Sequence, residues 1–347
     1  MKIRFLQPMI CLLISSCASV TKTSEIDIPY RSERYLIITA DDFGASKNIN
    51  EGIKIAADKK AITAISVLSN FSESFSELKQ LSLNHPEIGI GLHLNIITGK
   101  PILGPDQIPS LVSSSGRFYT IDELLPKIKS ISPEDLRREL RAQILALTAN
   151  NIKLDHLTDQ DGILSLYSPF FEVMAALAKE FNVPVRTPLV ASVKYPDLFP
   201  YSLLKKRGKQ IAVKFAIKHP FDALSLLKYS RIEEMEKKVQ KMNDLGIPHP
   251  DLLIECFWGN PSPKNYLHII EHLPQGISEL VLHIGTSTRQ DTYPNGLDTD
   301  YFENREKELN TITDDHIKEY YDYLNIKTIC YSEISNCKNK EHTLPDK

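Results

Sequence analysis

Tyr35-Leu36-Ile37-Ile38-Thr39-Ala40-Asp41-Asp42-Phe43-Gly44 is the stretch that decides how this chain is read. From Tyr35 to Ala40 it is continuous, largely apolar and β-branched, the pattern of a strand buried on both faces. It then stops in two acids. Neighbouring residues within a strand point to opposite faces, but at a strand end they can part. One carboxylate could then hold a cation while the other takes a proton from water. Asp-Asp-Phe-Gly equally suits a strand-to-helix turn with helix N-capping, so on these residues alone both readings stay open.

Outward from this strand, short β-rich runs alternate with helical periodicity. A helix is expected over 48–60, a strand over 64–68, a helix over 71–83 and a strand over 88–94. Helices follow over 121–128 and 133–149, then short strands over 154–157 and 183–187 flanking a helix over 169–181. Residues 201–241 read as mostly helical, basic in their first half, and as an insertion. Strands over 252–257, 280–283 and 327–331 alternate with helices over 264–272, 301–309 and 314–324. Repeated β-then-α units with buried strands and no Gly-rich phosphate fingerprint predict an α/β fold. The expected form is a (β/α) barrel, incomplete or distorted relative to a TIM barrel, with a helical insertion.

Polar residues fall where these strands end: Asp41-Asp42, His93, Asp159-Gln160-Asp161, Glu255 and His283. The C-terminal ends of parallel barrel strands converge on one face, where active sites sit. His93 stands in an apolar strand behind Gly89 and Gly91, which would thin the packing around it; His156 and His283 start from the same choice between satisfied core group and ligand. Phe257-Trp258 beside Glu255 reads either as a sugar-stacking platform or as a core aromatic at a strand end. The basic segment 205–218 reads as a solvated helix face, with an anionic sugar or lipid as the alternative.

The first residues form a separate object. Met1-Lys2-Ile3-Arg4 is a short basic start, and the apolar stretch from Phe5 to Ile14 is too short to span a membrane. Ile14-Ser15-Ser16-Cys17 then resembles a bacterial lipobox, with cleavage before Cys17 and acylation of its thiol. The expected organisation is a lipoprotein signal peptide over 1–16, a polar tether over 17–34, a barrel over 35–335 and a tail over 336–347. This places the chain at the bacterial cell envelope, joined to a membrane through its lipid, facing the periplasm, with the outer membrane favoured. A formal net charge of −3 and the lack of any long basic run argue against a nucleic-acid partner. Cys256, Cys330 and Cys337 are too widely and irregularly spaced for a metal motif.

Thr39 to Gly44, continuing through Asn50-Glu51-Gly52-Ile53, resembles the signature of the YdjC-like carbohydrate deacetylases. Gly91-Leu92-His93-Leu94-Asn95 is similar to that family's second motif. The run from Phe170 to Pro188, the segment from Glu279 to Gly285, Arg305 and Glu308-Leu309 continue the likeness, which covers roughly residues 35–335. The resemblance implies an incomplete barrel, a divalent metal (Mg²⁺ first, Zn²⁺ as the alternative) and removal of N-acetyl groups from an amino sugar or short oligosaccharide. Carried over by position, Asp41 is the catalytic base, Asp42 and His93 are metal ligands, His283 protonates the leaving amine and Arg305 lies near the substrate. Trp258 is assigned to substrate binding as the candidate stacking residue, and a homodimer is compatible with the reading.

One ligand departs from the pattern. Where the family places a metal-binding histidine after His-x-Asp-Ser, this chain has Gln160, with Asp159 and Asp161 as alternative donors. An amide oxygen is a poor substitute for imidazole at zinc and a better one at a hard cation. Ile284 also replaces a proline after His283. Three functions therefore remain: an active deacetylase, a catalytically inactive sugar-binding lipoprotein, and a metal hydrolase acting on another bond.

Overall fold

The computed structural model describes residues 33–287 and 300–339. The expected signal peptide, Cys17 and nearly all of the tether lie outside the described residues.

β1 (Arg34–Phe43) occupies the middle of a seven-stranded sheet, as its unbroken apolar run demands. The other strands are β2 (Ala64–Val67), β3 (Gly89–Leu94), β4 (Leu157–Asp159), β5 (Leu252–Ile254), β6 (Gly276–Leu282) and β7 (Ile326–Thr328). Their order is β4-β3-β2-β1-β6-β5, and β7 pairs with the first residues of β1. All these pairings are parallel, with β1 and β6 in register from Arg34 opposite Gly276 to Ala40 opposite Leu282. The fold is thus an α/β half-barrel, as the sequence pattern predicts.

The two faces of β1 sort by alternation. Leu36, Ile38 and Ala40 join the main core under the helices, whereas Tyr35 and Ile37 join a small inner cluster with Ala64, Ile277, Ile329 and Tyr331. Leu36 and Ile37 have no exposed surface, and burying each contributes about 1.5–3 kcal/mol. Above the inner plug the same face turns polar, through Thr39 and Asp41 on β1, Ser66 on β2 and Glu279 on β6.

Three expectations shift. The fourth strand lies at Leu157–Asp159, although Asp155 N already donates to Ile90 O at 2.9 Å. The fifth, expected over 183–187, is reduced to isolated bridges, Leu157 to Val185 and Val190 to Leu253. Pro184 and Pro188 each lack the N–H that a continuous ladder would need. The segment still spans the gap between β4 and β5, carrying Arg186 inward. At the C-terminus, helix Ile334–Asn339 extends past residue 335, with Ile334 and Cys337 packed into the inner plug.

The insertion consists of helices Leu203–Lys218, Pro220–Leu227 and Ile232–Leu245. Among the described residues no helix is long and apolar enough to cross a membrane.

Candidate active site

Asp41 and Asp42 both lie within β1, and the ladder shows how they diverge. Ala40 pairs with Ile65, but Phe43 pairs with Val67, so β1 carries an extra residue between them. This is a β-bulge, which re-aims side chains at the cost of regular pairing. Asp42 takes φ +75°, a left-handed conformation uncommon for a residue with a Cβ. The exit is then secured by Ser46, whose hydroxyl caps helix Lys47–Asp58, and by Asn50, whose side-chain oxygen accepts from Gly44 N at 2.7 Å. Both readings of Asp-Asp-Phe-Gly thus describe the same turn, but the capping falls to Ser46.

The two carboxylates answer to different arginines. Arg186 donates to Asp41 at 2.7 and 3.0 Å and to Glu279 at 2.7 to 3.2 Å. Burial alone would raise the Asp41 carboxyl, but the charge and hydrogen bonds of Arg186 overcome it and hold the group well below the usual carboxylate range. Arg305 donates to Asp42 Oδ2 at 2.5 Å and hydrogen-bonds the Tyr301 hydroxyl. Burial opposes ionisation of Asp42 as well, and the Arg305 charge, the largest of the opposing effects, brings it below its ordinary value. Its second oxygen, Oδ1, is buried with no hydrogen-bond partner.

That oxygen lies 3.7 Å from His93 Nε2, with Asp41 Oδ2 at 4.0 Å from the same nitrogen. These separations are too long for hydrogen bonds. The other ring nitrogen, Nδ1, lies 2.7 Å from Thr158 Oγ1. The Thr158 hydroxyl donates to Leu92 O at 3.4 Å, so it accepts from a protonated Nδ1, which leaves Nε2 with a lone pair turned toward two carboxylates. A lone pair and an unpartnered carboxylate oxygen facing each other fit a cation between them.

His283 follows β6 directly. Burial pushes its imidazole down to about 4, against the pull of Asp42 and Asp41. Its ring tilts against Trp258 at 4.4 Å, and its backbone N–H donates to Glu308 Oε2 at 2.7 Å. Glu308 is fully buried, which pushes its carboxyl up to about 8. The approach of this strand end to β1 depends on two glycines: a Cβ on Gly52 would meet Gly285 Cα at 2.5 Å.

Asp41, Asp42, His93 and His283 therefore meet at one end of the sheet, and the remaining candidates sort by contact. Trp258 is 4% exposed and already carries His283, with Arg305 5.4 Å from its ring centre. It is a wall behind His283 rather than an open stacking face. Arg305 is 1% exposed and holds Asp42, so it acts on the site through that carboxylate. Gln160 opens the turn Gln160–Gly162 directly after β4, and its Oε1 is buried without a hydrogen-bond partner. The two alternative donors are engaged elsewhere. Asp159 accepts from Leu164 N, Ser165 N and Ser165 Oγ at 2.6 to 2.8 Å, and Asp161 is exposed at φ +52°. Among the described residues no group of three or more His, Cys, Asp or Glu side chains is placed to hold a metal. The buried, unpartnered Asp42 Oδ1 and the facing His93 Nε2 are the donor atoms that the geometry brings together.

Arg186, Glu279, Thr158 and Glu308 were not assigned roles from sequence. The signals were the places of Arg186, Glu279 and Glu308 in the segments that carry the family likeness, and a charged residue inside an apolar run at Glu279 and at Val185-Arg186; neither names a partner.

The chain matches the model of the YdjC-like protein family over residues 35–323. A carbohydrate deacetylase of Clostridium beijerinckii is 26% identical over 299 residues, covering 86% of this chain and 99% of that protein. A carbohydrate deacetylase of Brevibacillus brevis is 36% identical over 154 residues, covering 44% of this chain and 59% of the relative, so that match spans under two thirds of its length. A crystal structure from Enterococcus faecalis V583, described as a cellobiose-phosphate cleavage protein, shares the fold with a TM-score of 0.68. It is 21% identical and covers 87% of this chain and 99% of its own.

Proposed function

The chain belongs to the YdjC-like family, and on that premise we propose that it is a carbohydrate deacetylase hydrolysing the amide bond of an N-acetylated amino sugar or short oligosaccharide. The observation that carries this reading is the division of labour between adjacent acids. Asp41 is locked ionised by Arg186, while Asp42 keeps one oxygen unpartnered beside His93 Nε2. A hydrolase of a stable amide needs a base and an electrophilic centre side by side.

Asp42, His93 and Gln160 would hold a divalent cation, which would polarise the acetyl carbonyl and acidify a water. Asp41 accepts the water's proton, and Arg186 fixes the direction from which it does so. His283 delivers a proton to the departing nitrogen. It rests neutral, so the proton it delivers is the one Asp41 took from the water, passed on to its ring, and Asp42 and Asp41 beside it favour that charged form. Trp258 and Glu308 hold its ring and backbone in place.

Gln160 supports a preference for oxygen-loving ions, Mg²⁺ ahead of Zn²⁺. It also supports a second reading, a sugar-binding protein that no longer turns over. Acetate release from N-acetylated chito-oligosaccharides, with and without added Mg²⁺ or Zn²⁺, separates the two. Calorimetric titration of Gln160→His should show tighter zinc binding with little change for magnesium. Unchanged affinities for both ions would overturn the ligand role of Gln160. The N-terminal layout further supports a mature envelope lipoprotein beginning at Cys17, for which intact mass of membrane-fraction protein is the test.

A further inference from the structure

Helix Leu203–Lys218 opens the insertion and has no counterpart in the catalytic argument. It contains no Asp or Glu, in a chain whose net charge is −3. Lys206, Lys209, Val213, Lys214, Ile217 and Lys218 are exposed, and their spacing of three and four residues lays them along one face. Val213 is 41% and Ile217 70% exposed, while Phe215 turns inward and is buried. Asp122, Leu125 and Pro126 flank the end of the helix across a shallow groove, Asp122 being its one carboxylate.

A single exposed isoleucine means nothing, because much of any protein surface is apolar. Interleaved with four lysines on an acid-free face, it gives a mixed basic and apolar surface, and clustered lysines of this kind are attracted to anionic lipid. A soluble polyanion would satisfy the lysines and leave Ile217 and Val213 in water. An anionic bilayer takes both.

The helix is also rooted at the site end of the barrel. Tyr201, just before it, donates to Gly259 O at 3.0 Å, and Ser202 hydrogen-bonds Glu255 beyond β5. We infer that helix Leu203–Lys218 docks on an anionic lipid surface and turns the mouth of the barrel toward it. The chain enters β1 at Arg34, at the opposite end of the sheet from Asp41. A 17-residue stretch (17–33) reaches about 55 Å when extended, against about 33 Å for the length of β1. A tether of that length allows the mouth to face the membrane from which the chain emerges.

The test is co-sedimentation of the full chain with phosphatidylcholine vesicles, with and without a minority of phosphatidylglycerol. Any contribution of the N-terminus is common to all variants, so differences between them read the helix. Wild type should prefer the anionic vesicles and lose that preference at high salt. Joint replacement of Lys206, Lys209, Lys214 and Lys218 by glutamate should weaken binding at least about 1,000-fold. Ile217→Ser should weaken it several-fold without changing the salt dependence, and all variants should keep the wild-type circular dichroism. Equal binding of anionic vesicles by the quadruple variant would overturn the inference. So would a neutral Ile217→Ser together with equal binding to dextran sulfate, because that would make the face a polyanion site. The result does not depend on turnover, so it stands or falls apart from the deacetylase reading.

Discussion

His93 on β3 and His156 just before the neighbouring β4 are both almost wholly buried, and they show what separates a reactive end of this barrel from a structural one. His93, at the mouth, is steered by a neutral hydroxyl so that its free nitrogen faces two carboxylates. His156, one layer down, takes the Asp155 carboxylate on Nδ1 at 3.0 Å and stacks on Tyr331 at 4.1 Å. Asp155 also accepts from Ser332 N at 3.2 Å, tying the C-terminal segment to the barrel. At the mouth, charges are held by distant arginines and left with open valences. In the layer beneath, the Asp155 carboxylate is met by its sequence neighbour and the ring is used as packing, its Nε2 buried without a hydrogen-bond partner.

Three measurements can break this comparison or sharpen it. The largest effect is expected from Asp41→Asn, which should lower acetate release about 10²–10⁴-fold and leave metal affinity near wild type. Asp42→Asn should weaken the metal and, by removing the partner of buried Arg305, also lower stability. Equal losses of metal affinity in both variants would erase the division between the two acids.

A middling effect is expected in the layer beneath. A Cβ on Gly91 would sit 2.3 Å from the His156 ring, so Gly91→Ala should cost about 1–3 kcal/mol in chemical unfolding. Adding His156→Ala should recover part of that loss, and metal affinity should not move. If Gly91→Ala loosened metal as much as His93→Ala does, the two histidines would belong to one unit.

The smallest effect concerns Glu308 behind the mouth, whose buried carboxyl is pushed up to about 8. A raised folded pKa leaves its contribution intact below the ordinary carboxylate range and removes it progressively as pH climbs toward that value. Wild type should therefore lose stability between about pH 5 and about pH 8 more steeply than Glu308→Gln, which still accepts the His283 N–H. Parallel urea midpoints for the two proteins would mean that Glu308 is ionised throughout.

The glycines of β3 show where a reading of local sequence went astray. Gly89 and Gly91 were expected to thin the packing around His93. In the structure a Cβ on Gly89 would strike the Asp155 carboxylate, and one on Gly91 the His156 ring. They make room for Asp155 and the structural histidine, because the segment leading into β4 runs beside β3 there, with Asp155 N donating to Ile90 O and Leu92 N to His156 O, each at 2.9 Å. The chain pattern likewise marked Trp258 as a candidate platform, without the information that His283 lies on its face.

Alternation and periodicity were enough to settle the parallel α/β architecture, the burial of β1 on both faces and the arrival of Asp41, His93 and His283 at one end of the sheet. Those properties follow from local residue order: buried strands are apolar throughout, and parallel strands align their C-terminal ends. Only the tertiary structure decided which acid answers to which cation. Arg186 reaches Asp41 and Arg305 reaches Asp42 across separations of 145 and 263 residues. A bulge visible only in the β1–β2 register lets both acids reach those partners. Pairing at that range depends on how the folded strands are laid side by side, and no local pattern of residues records it.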